Sequence, residues 1–269
     1  MTIQLRQICL VAHHLEPVIQ DLTDILELER CYVDPGVGAF GLENTLLPIG
    51  RNFLEVVAPL QAGTAGGRYL DRRGGDGGYM VITQADTFAN QQAVRTRALE
   101  NKVRVAYEFE RDGWNLCQMH PGDMIAAFLE VEWDKHEDLT GHWMPVGGGG
   151  WEDKVRQDVT IDIIGVELQG PDPVSLADLW ARVLGLPLTS VDGNLSIALN
   201  NATLRFVETA DGRGAGLGGL DIAVKDRNHI LRRARERGCY VSEDRVDICG
   251  TRFNLIETSS WQPGTPEMQ

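Results

Sequence analysis

One order of strands and helices occurs four times along the chain, and this repeat constrains the fold more than any other feature. The first copy begins with an apolar, strand-like run at residues 8–12. Apolar residues at helical spacing follow, and then two or three strands, including 45–49 and 52–57. The helical stripe consists of Leu15, Val18, Ile19, Leu22, Ile25 and Leu26.

The second copy repeats this order from Asp158 onward. Residues 166–168 form the predicted strand, and the Asp-Pro-Val-Ser run at 172–175 opens the predicted helix. Strands at 195–199 and 202–207 follow around an Asn-Asn turn.

Two further copies begin alike, since the strand at 77–82 resembles the strand at 218–223. Polar helices are predicted at 87–100 and 226–238, and short strands then end each copy.

These four units predict an α+β protein of four βαβββ modules that form two cupped-sheet domains. One module has a single sheet face to bury, so pairing modules should stabilise it and leave a cavity between the halves. The predicted domains span residues 1–134 and 158–260, with a linker at 135–157 and a tail at 261–269. Four consecutive glycines at 147–150 interrupt regular structure, while Trp143 and Trp151 indicate a linker packed on the domains.

Composition excludes several partner classes. The formal net charge of −14 disfavours nucleic acid and anionic membranes as partners, and no apolar run is long enough to span a bilayer. Five cysteines without a C-x-x-C motif are typical of free thiols in a reducing cytosol, and no secretory leader is recognisable. We therefore expect a cytoplasmic protein.

The sequence resembles the vicinal oxygen chelate superfamily, which includes glyoxalase I, methylmalonyl-CoA epimerase, extradiol dioxygenases and metal-free bleomycin-binding proteins. The residues that carry the resemblance are runs 6–11, 25–28 and 53–57, with His-Pro-Gly-Asp at 120–123 and Phe-Leu-Glu-Val at 128–131. In this superfamily each cup can hold one divalent metal, which chelates two adjacent substrate oxygens as a Lewis acid.

Carried over by position, the resemblance implies three oxygen ligands in the first domain: Gln7, Glu55 and Glu130. The fourth position falls on Met80, or on Tyr79 after a shift of one residue, and neither is a usual metal ligand. Glu55 and Glu130 interrupt apolar strands, where a carboxylate is costly to bury unless it is paired, protonated or metal-bound. The two glutamates are therefore predicted either to hold a metal with Gln7 or to act directly as acid and base.

The second domain departs from this pattern. Its equivalent positions are Gly165, Arg205, Asp221 and Leu255, or Asn254 after a shift of one residue. An arginine at a ligand position repels a cation, so we expect a scaffold without metal, in which Arg205 and Asp221 suit a polar ligand.

The sequence leaves more than one role open for the histidines. His120 is a candidate catalytic base at the cavity mouth, or a loop cap. His13 and His14 are adjacent, and adjacent strand residues point to opposite sides, so the two cannot easily bind one metal ion. We expect them to lie in a surface turn. His136 and His142 lie in the acidic linker, where a metal clip with Asp134, Glu137 or Asp138 is conceivable but lacks a defined spacing.

Two functions remain open. The first is a glyoxalase- or dioxygenase-like enzyme, a lyase, isomerase or ring-cleaving enzyme for a small oxygen-bearing molecule. The second is a metal-free protein that sequesters small molecules, which the missing histidine favours. The glycine clusters lack the G-K-[ST] motif of a phosphate-binding loop, so we expect no nucleotide cofactor. Open sheet edges often pair between subunits, so we expect a homodimer.

Overall fold

The computed structural model describes residues 1–191 and 193–257, so the predicted tail at 261–269 and residues 258–260 lie outside the described residues. The described residues form 15 strands and six α-helices, which confirms the predicted α+β class. No helix in these ranges is long and apolar enough to cross a membrane.

The first two modules form the N-terminal half of the sheet. The bounds of their elements are β1 (Ile3–Val11), α1 (Leu15–Leu26), β2 (Leu42–Ile49), β3 (Asn52–Pro59), α2 (Ala65–Arg73), β4 (Gly77–Ala85), α3 (Phe88–Glu100), β5 (Val105–Arg111), β6 (Trp114–Met119), α4 (Pro121–Met124) and β7 (Phe128–Asp134). The first module is one strand short of the predicted pattern. An isolated bridge between Tyr32 and Leu46 stands where the missing strand would pair, because a 3-10 helix at Pro35–Phe40 follows directly.

The last two modules match the predicted pattern. The bounds of their elements are β8 (Thr160–Gly170), α5 (Pro173–Leu184), β9 (Leu188–Val191), β10 (Asn194–Ala198), β11 (Thr203–Glu208), β12 (Gly216–Val224), α6 (Arg227–Arg237), β13 (Tyr240–Ser242), β14 (Arg245–Ile248) and β15 (Thr251–Glu257).

The modules pair through their first strands. β1 lies antiparallel to β4, and β8 lies antiparallel to β12, while each first strand also runs parallel to the last strand of its own module. Between residues of the named strands, the sheet continues from one half to the other through one backbone bridge, between Gly78 of β4 and Leu217 of β12. We call the concave face of strands β1–β7 the N-terminal cup and that of strands β8–β15 the C-terminal cup.

The main apolar core lies between the convex faces of the two halves. Alternation along β1 directs Ile8 and Leu10 into this core, together with the apolar faces of α1, α3, α5 and α6. α1 contacts α6 and α3 contacts α5, so the helices stand between the two halves of the sheet. Alternation also directs Gln7 and Cys9 to the opposite side, into the N-terminal cup.

The linker is packed, as its tryptophans indicated. Residues 139–151, which we call the plug, cross the mouth of the N-terminal cup and contain a short 3-10 helix at Met144–Val146. Trp143 and Gly148 pair backbone to backbone at its centre.

Candidate active site in the N-terminal cup

Gln7 and Glu55 meet on the floor of the N-terminal cup. Glu55 lies on β3 opposite Cys9 of β1, so the alternation of β1 brings Gln7 to the same face two residues away. Gln7 Nε2 donates a hydrogen bond to Glu55 Oε2 at 2.9 Å, and both side chains are buried. The structure therefore joins two of the three residues predicted as ligands.

Burial dominates the electrostatics of Glu55. It raises the pKa of this carboxyl from 4.5 to about 7, since an ion is costly away from water. Asn44 Nδ2 donates to Oε1 at 2.6 Å and lowers the pKa in part. Glu55 can therefore release or accept a proton near neutral pH.

Glu130 faces the same cup from β7. Glu130 pairs with Ile82 of β4, and Ile82 pairs with Gln7 of β1. The side chains of Glu130, Ile82 and Gln7 therefore form one row across three neighbouring strands. Gln118 Nε2 donates to Glu130 Oε2 at 2.5 Å. Burial raises the pKa of Glu130, and its charge is among the causes that raise the pKa of Glu55.

Glu132, which the sequence reasoning did not single out, adjoins Glu130 on the same face of β7. Burial and the neighbouring Glu130 raise the pKa of Glu132 well above 4.5, while Trp114 Nε1 donates to it at 2.6 Å. Two neighbouring buried carboxyls disfavour ionisation of both at the same time.

Arg6 is the second residue that sequence reasoning missed, and it is fully buried in the cup. The pairing of β1 with β4 skips a residue between Leu5 and Gln7, and this bulge turns Arg6 to the same side as Gln7. Its guanidinium donates to Gln84 Oε1 at 2.7 Å and to the carbonyls of Asp138 and Gly141 at 3.0 and 3.1 Å. Burial lowers its pKa to about 10 despite nearby carboxylates.

Trp143 of the plug fills the space above these residues. The indole Nε1 donates to Gln7 Oε1 at 3.0 Å, and the Arg6 guanidinium lies 4.8 Å from the ring centroid. Trp143 is completely buried. The cup is thus occupied by the chain's own aromatic side chain.

Apolar and aromatic side chains surround this polar floor. Trp151 packs edge-on against Phe53 with ring centroids 4.9 Å apart, and Tyr79 packs against Tyr69 at 4.8 Å. Met80, rather than Tyr79, is the partner of Cys9 in the row of Glu55, which settles the register left open by the sequence. Such a lining suits a small organic molecule that carries a few polar groups.

The donor atoms of this floor do not fit a bound metal while the plug is in place. Gln7 presents its N–H group to Glu55 and its oxygen to Trp143, so a shared ion would require the amide to turn and the indole to leave. Glu55 and Glu130 accept from Asn44 and Gln118, and Met80 stands at the fourth position. The metal at Gln7, Glu55 and Glu130 therefore stays a prediction.

The histidines lie elsewhere. His120 caps α4, where its Nδ1 accepts from the Gly122 N–H at 3.1 Å and lies 3.3 Å from Arg104 Nη2. These contacts match the loop-capping alternative, and a catalytic role for His120 stays a prediction. His13 and His14 are exposed in the turn before α1, and His13 Nδ1 lies 2.7 Å from Asp76.

An ion-pair network covers the floor of the C-terminal cup. Arg205 donates to both oxygens of Asp221 at 2.9 and 2.6 Å and lies 3.3 Å from Glu167. Asn254, rather than Leu255, faces this floor and donates to Asp221 at 2.9 Å. The charges of Arg205 and Asp221 are thus satisfied within the chain.

Comparison with known proteins agrees with this architecture. No protein-family model and no curated protein matches the chain. Among solved structures, a hypothetical protein from Staphylococcus aureus has 13% identity and a TM-score of 0.62, covering 96% of this chain and 100% of its own. A triple mutant of 4-hydroxymandelate synthase from Streptomyces coelicolor has 16% identity and a TM-score of 0.62, covering 89% of this chain and 76% of its own.

The chain shares the fold of 4-hydroxymandelate synthase, which is a member of the vicinal oxygen chelate superfamily. This confirms the resemblance found in the sequence at the level of the fold. A methylmalonyl-CoA epimerase of the same superfamily also matches, with 18% identity, 51% of this chain, 99% of its own and a TM-score of 0.43.

Proposed function

We propose that the N-terminal cup is the active site of an enzyme that moves a proton on a small oxygen-bearing organic molecule. Glu55 is the proton-transferring residue. The observation that carries the proposal is this buried carboxyl, whose pKa near 7 suits acid–base work at neutral pH. The vicinal oxygen chelate superfamily, whose fold this chain shares, contains lyases and isomerases, and this likeness supports an enzyme of this general kind.

The neighbours of Glu55 give it a defined position. Gln7 and Asn44 each donate to one of its oxygens, so the carboxylate is held against rotation. When the plug opens, a substrate that replaces the Trp143 indole would lie between Glu55 and Arg6. Glu55 would then take a proton from a carbon next to a carbonyl, and the Arg6 guanidinium would stabilise the negative charge that develops on the oxygen.

This chemistry distinguishes among the reaction classes that the sequence left open. Enolisation-type epimerisation, isomerisation and β-elimination of carbonyl compounds begin with removal of a proton next to the carbonyl, and a positioned carboxylate can act as the base. Ring cleavage needs a metal that activates oxygen, and the donor atoms of the cup are engaged in hydrogen bonds within the chain. Proton transfer is therefore the reaction that we favour.

A hydrogen-exchange assay tests the proposal without a known substrate. A panel of small ketones and 2-oxo acids is incubated with the protein in D₂O at pH 7, and loss of the α-proton signal is followed by NMR. We expect catalysed exchange for at least one compound, and a loss of about 10²- to 10⁴-fold in Glu55→Gln, the usual contribution of a general base.

Asp162 supplies a matched control. This carboxyl is also buried, and burial likewise raises its pKa to about 7, but it bonds to Asn52 at the junction of the two halves. We expect Asp162→Asn to keep the exchange activity. Full activity in Glu55→Gln, or equal losses in both variants, would contradict the role of Glu55.

The second candidate is a metal-free protein that sequesters apolar molecules. The aromatic lining formed by Phe53, Tyr69, Tyr79 and Trp151 favours it. In that case ligands bind equally well to the natural chain and to Glu55→Gln, and no compound exchanges its protons. A homodimer and a cytoplasmic location remain predictions.

A further inference from the structure

Three potential metal ligands converge where the plug leaves the sheet. Asp134 ends β7, His136 follows two residues later, and His142 immediately precedes Trp143. Their ligand atoms all lie within 4.8 Å of one another. Among residues 1–191 and 193–257, this is the one group of three or more histidine, cysteine or acidic residues whose ligand atoms lie that close together. The imidazoles stack with ring centroids 3.9 Å apart.

The backbone holds this cluster in place. Asp138 accepts from the N–H groups of Thr140, Gly141 and His142 at 2.9, 2.9 and 3.1 Å. The turn that presents His142 is therefore fixed by a carboxylate that is not itself part of the cluster.

Asp134 is oriented in the same way. Its Oδ1 accepts from the backbone N–H of His136 at 2.8 Å, which leaves Oδ2 facing His142 Nδ1 at 3.4 Å. Asp134 is buried, whereas His136 is exposed and His142 is partly exposed. An ion at this position would have a carboxylate behind it and open water in front.

Gly148 leaves the room that the His142 ring needs. A Cβ at this residue would lie 2.8 Å from His142 Nε2, and the φ of +102° lies in the region that favours glycine. One of the four consecutive glycines in the linker thus has a defined role, which is to let the plug fold back against this histidine.

We propose that Asp134, His136 and His142 bind a divalent ion of the zinc class, which fastens the plug over the N-terminal cup. Two imidazoles and a carboxylate are a usual protein ligand set for zinc, with water completing a tetrahedron. Metal–ligand bonds of about 2.0–2.2 Å place neighbouring ligand atoms about 3.4 Å apart, so the cluster needs to contract by little more than 1 Å. The imidazole side chains are at least partly exposed, so they can change rotamer and make this movement.

Charge also favours a cation here. The carboxylates of Asp134 and Asp138 both lie near the Arg6 guanidinium. A cation that joins Asp134 therefore enters a region in which two carboxylates face this guanidinium.

The consequence for the cup follows from chain connectivity. His142 is bonded directly to Trp143, whose indole occupies the floor beside Gln7 and Arg6. An ion that ties His142 to Asp134 of the rigid sheet therefore holds Trp143 in place. The metal site stands without the proposed function, whereas its effect on substrate entry rests on it.

Metal titration tests the site directly. Chelator-treated protein without a histidine tag is titrated with Zn²⁺ by calorimetry and with Co²⁺ by visible absorption. We expect one equivalent to bind to the natural chain, and binding at least about tenfold weaker in His136→Ala and in His142→Ala. His14→Ala, which removes another exposed histidine, is the matched control and should bind as the natural chain does.

The variant Glu55→Gln separates this site from a metal inside the cup. We expect it to bind zinc like the natural chain. A loss of metal in Glu55→Gln with normal binding in His136→Ala and His142→Ala would place the ion on the cup floor and overturn the proposal. Failure of the natural chain to bind zinc would do the same.

Hydrogen–deuterium exchange of the plug supplies the second measurement. Zinc should slow exchange of the amides in residues 139–151 of the natural chain and leave them unchanged in His142→Ala. Metal binding without this protection would refute the fastening of the plug. The NMR exchange assay with Glu55→Gln is run with chelator present, so failure of the proposed function remains a separate result.

Discussion

The buried carboxyl of Glu55 makes the stability of the protein depend on pH, and Glu55→Gln should remove that dependence. Its pKa is about 7 in the folded chain and about 4.5 when the chain is unfolded. The folded state therefore holds the proton more tightly. The stability from this carboxyl is present below pH 4.5 and is lost as the pH rises through 7.

The magnitude follows from the two pKa values. A tenfold change in proton affinity corresponds to about 1.4 kcal/mol, so the rise from 4.5 to about 7 corresponds to about 3 kcal/mol between pH 4 and pH 8. Glutamine keeps the size and one acceptor oxygen of the protonated acid but does not titrate. The natural chain should thus lose about 3 kcal/mol relative to Glu55→Gln over this range.

Urea unfolding of both proteins at several pH values from 4 to 8 measures this difference. Other buried acids, such as Asp162 with its own raised pKa, are present in both proteins and cancel in the comparison. A mismatch between the new amide and the Asn44 N–H adds an offset that does not vary with pH. If the two unfolding free energies stay parallel across the range, Glu55 does not titrate in a buried site and the argument for its role fails.

Two further predictions concern the plug. Trp143→Ala should lower the free energy of unfolding by about 3 kcal/mol, measured by urea, because a fully buried indole is removed, and a negligible change would show that the plug does not pack in the cup. Gly148→Ala should cost about 1–3 kcal/mol, because its φ is positive and its Cβ would meet His142. Gly149→Ala is the matched control, since a Cβ there meets nothing within 4 Å, and equal losses in the two variants would contradict the proposed packing.

Much of the architecture follows from local patterns in the sequence. The repeated order of strands and helices predicted the modules, because each periodic apolar stripe reports which face of its own element is buried. The family resemblance then placed Gln7, Glu55 and Glu130 in one cup. In the structure Gln7 and Glu55 hydrogen-bond there, and Glu130 lies in the same row as Gln7. The sequence left the choice between Leu255 and Asn254 open, because strand ends are poorly marked and a shift of one residue reverses the face; the structure directs Asn254 to the floor of the C-terminal cup.

The features that the sequence did not predict depend on irregular backbone or distant contacts. A bulge in β1 turns Arg6 into the cup, and strict alternation would have placed it on the other face from Gln7. The helix Ala65–Arg73 contains two glycines, so its intrinsic helix propensity is low. It forms because Thr64 caps it and because Tyr69 and Leu70 pack among the apolar side chains of the N-terminal cup. The position of Trp143 is set by tertiary packing alone.

The attachment of Trp143 to the chain bears on how any small molecule competes for the cup. The indole occupies the cup as a bound ligand would, but it is part of the chain, so dilution does not remove it. An incoming molecule can therefore bind only those protein molecules in which the plug has opened. If docking of the plug is worth about 3 kcal/mol, the apparent affinity of a competitor is weakened by about 100-fold. A search for ligands that uses Trp143→Ala would therefore detect compounds that the natural chain holds too weakly to reveal.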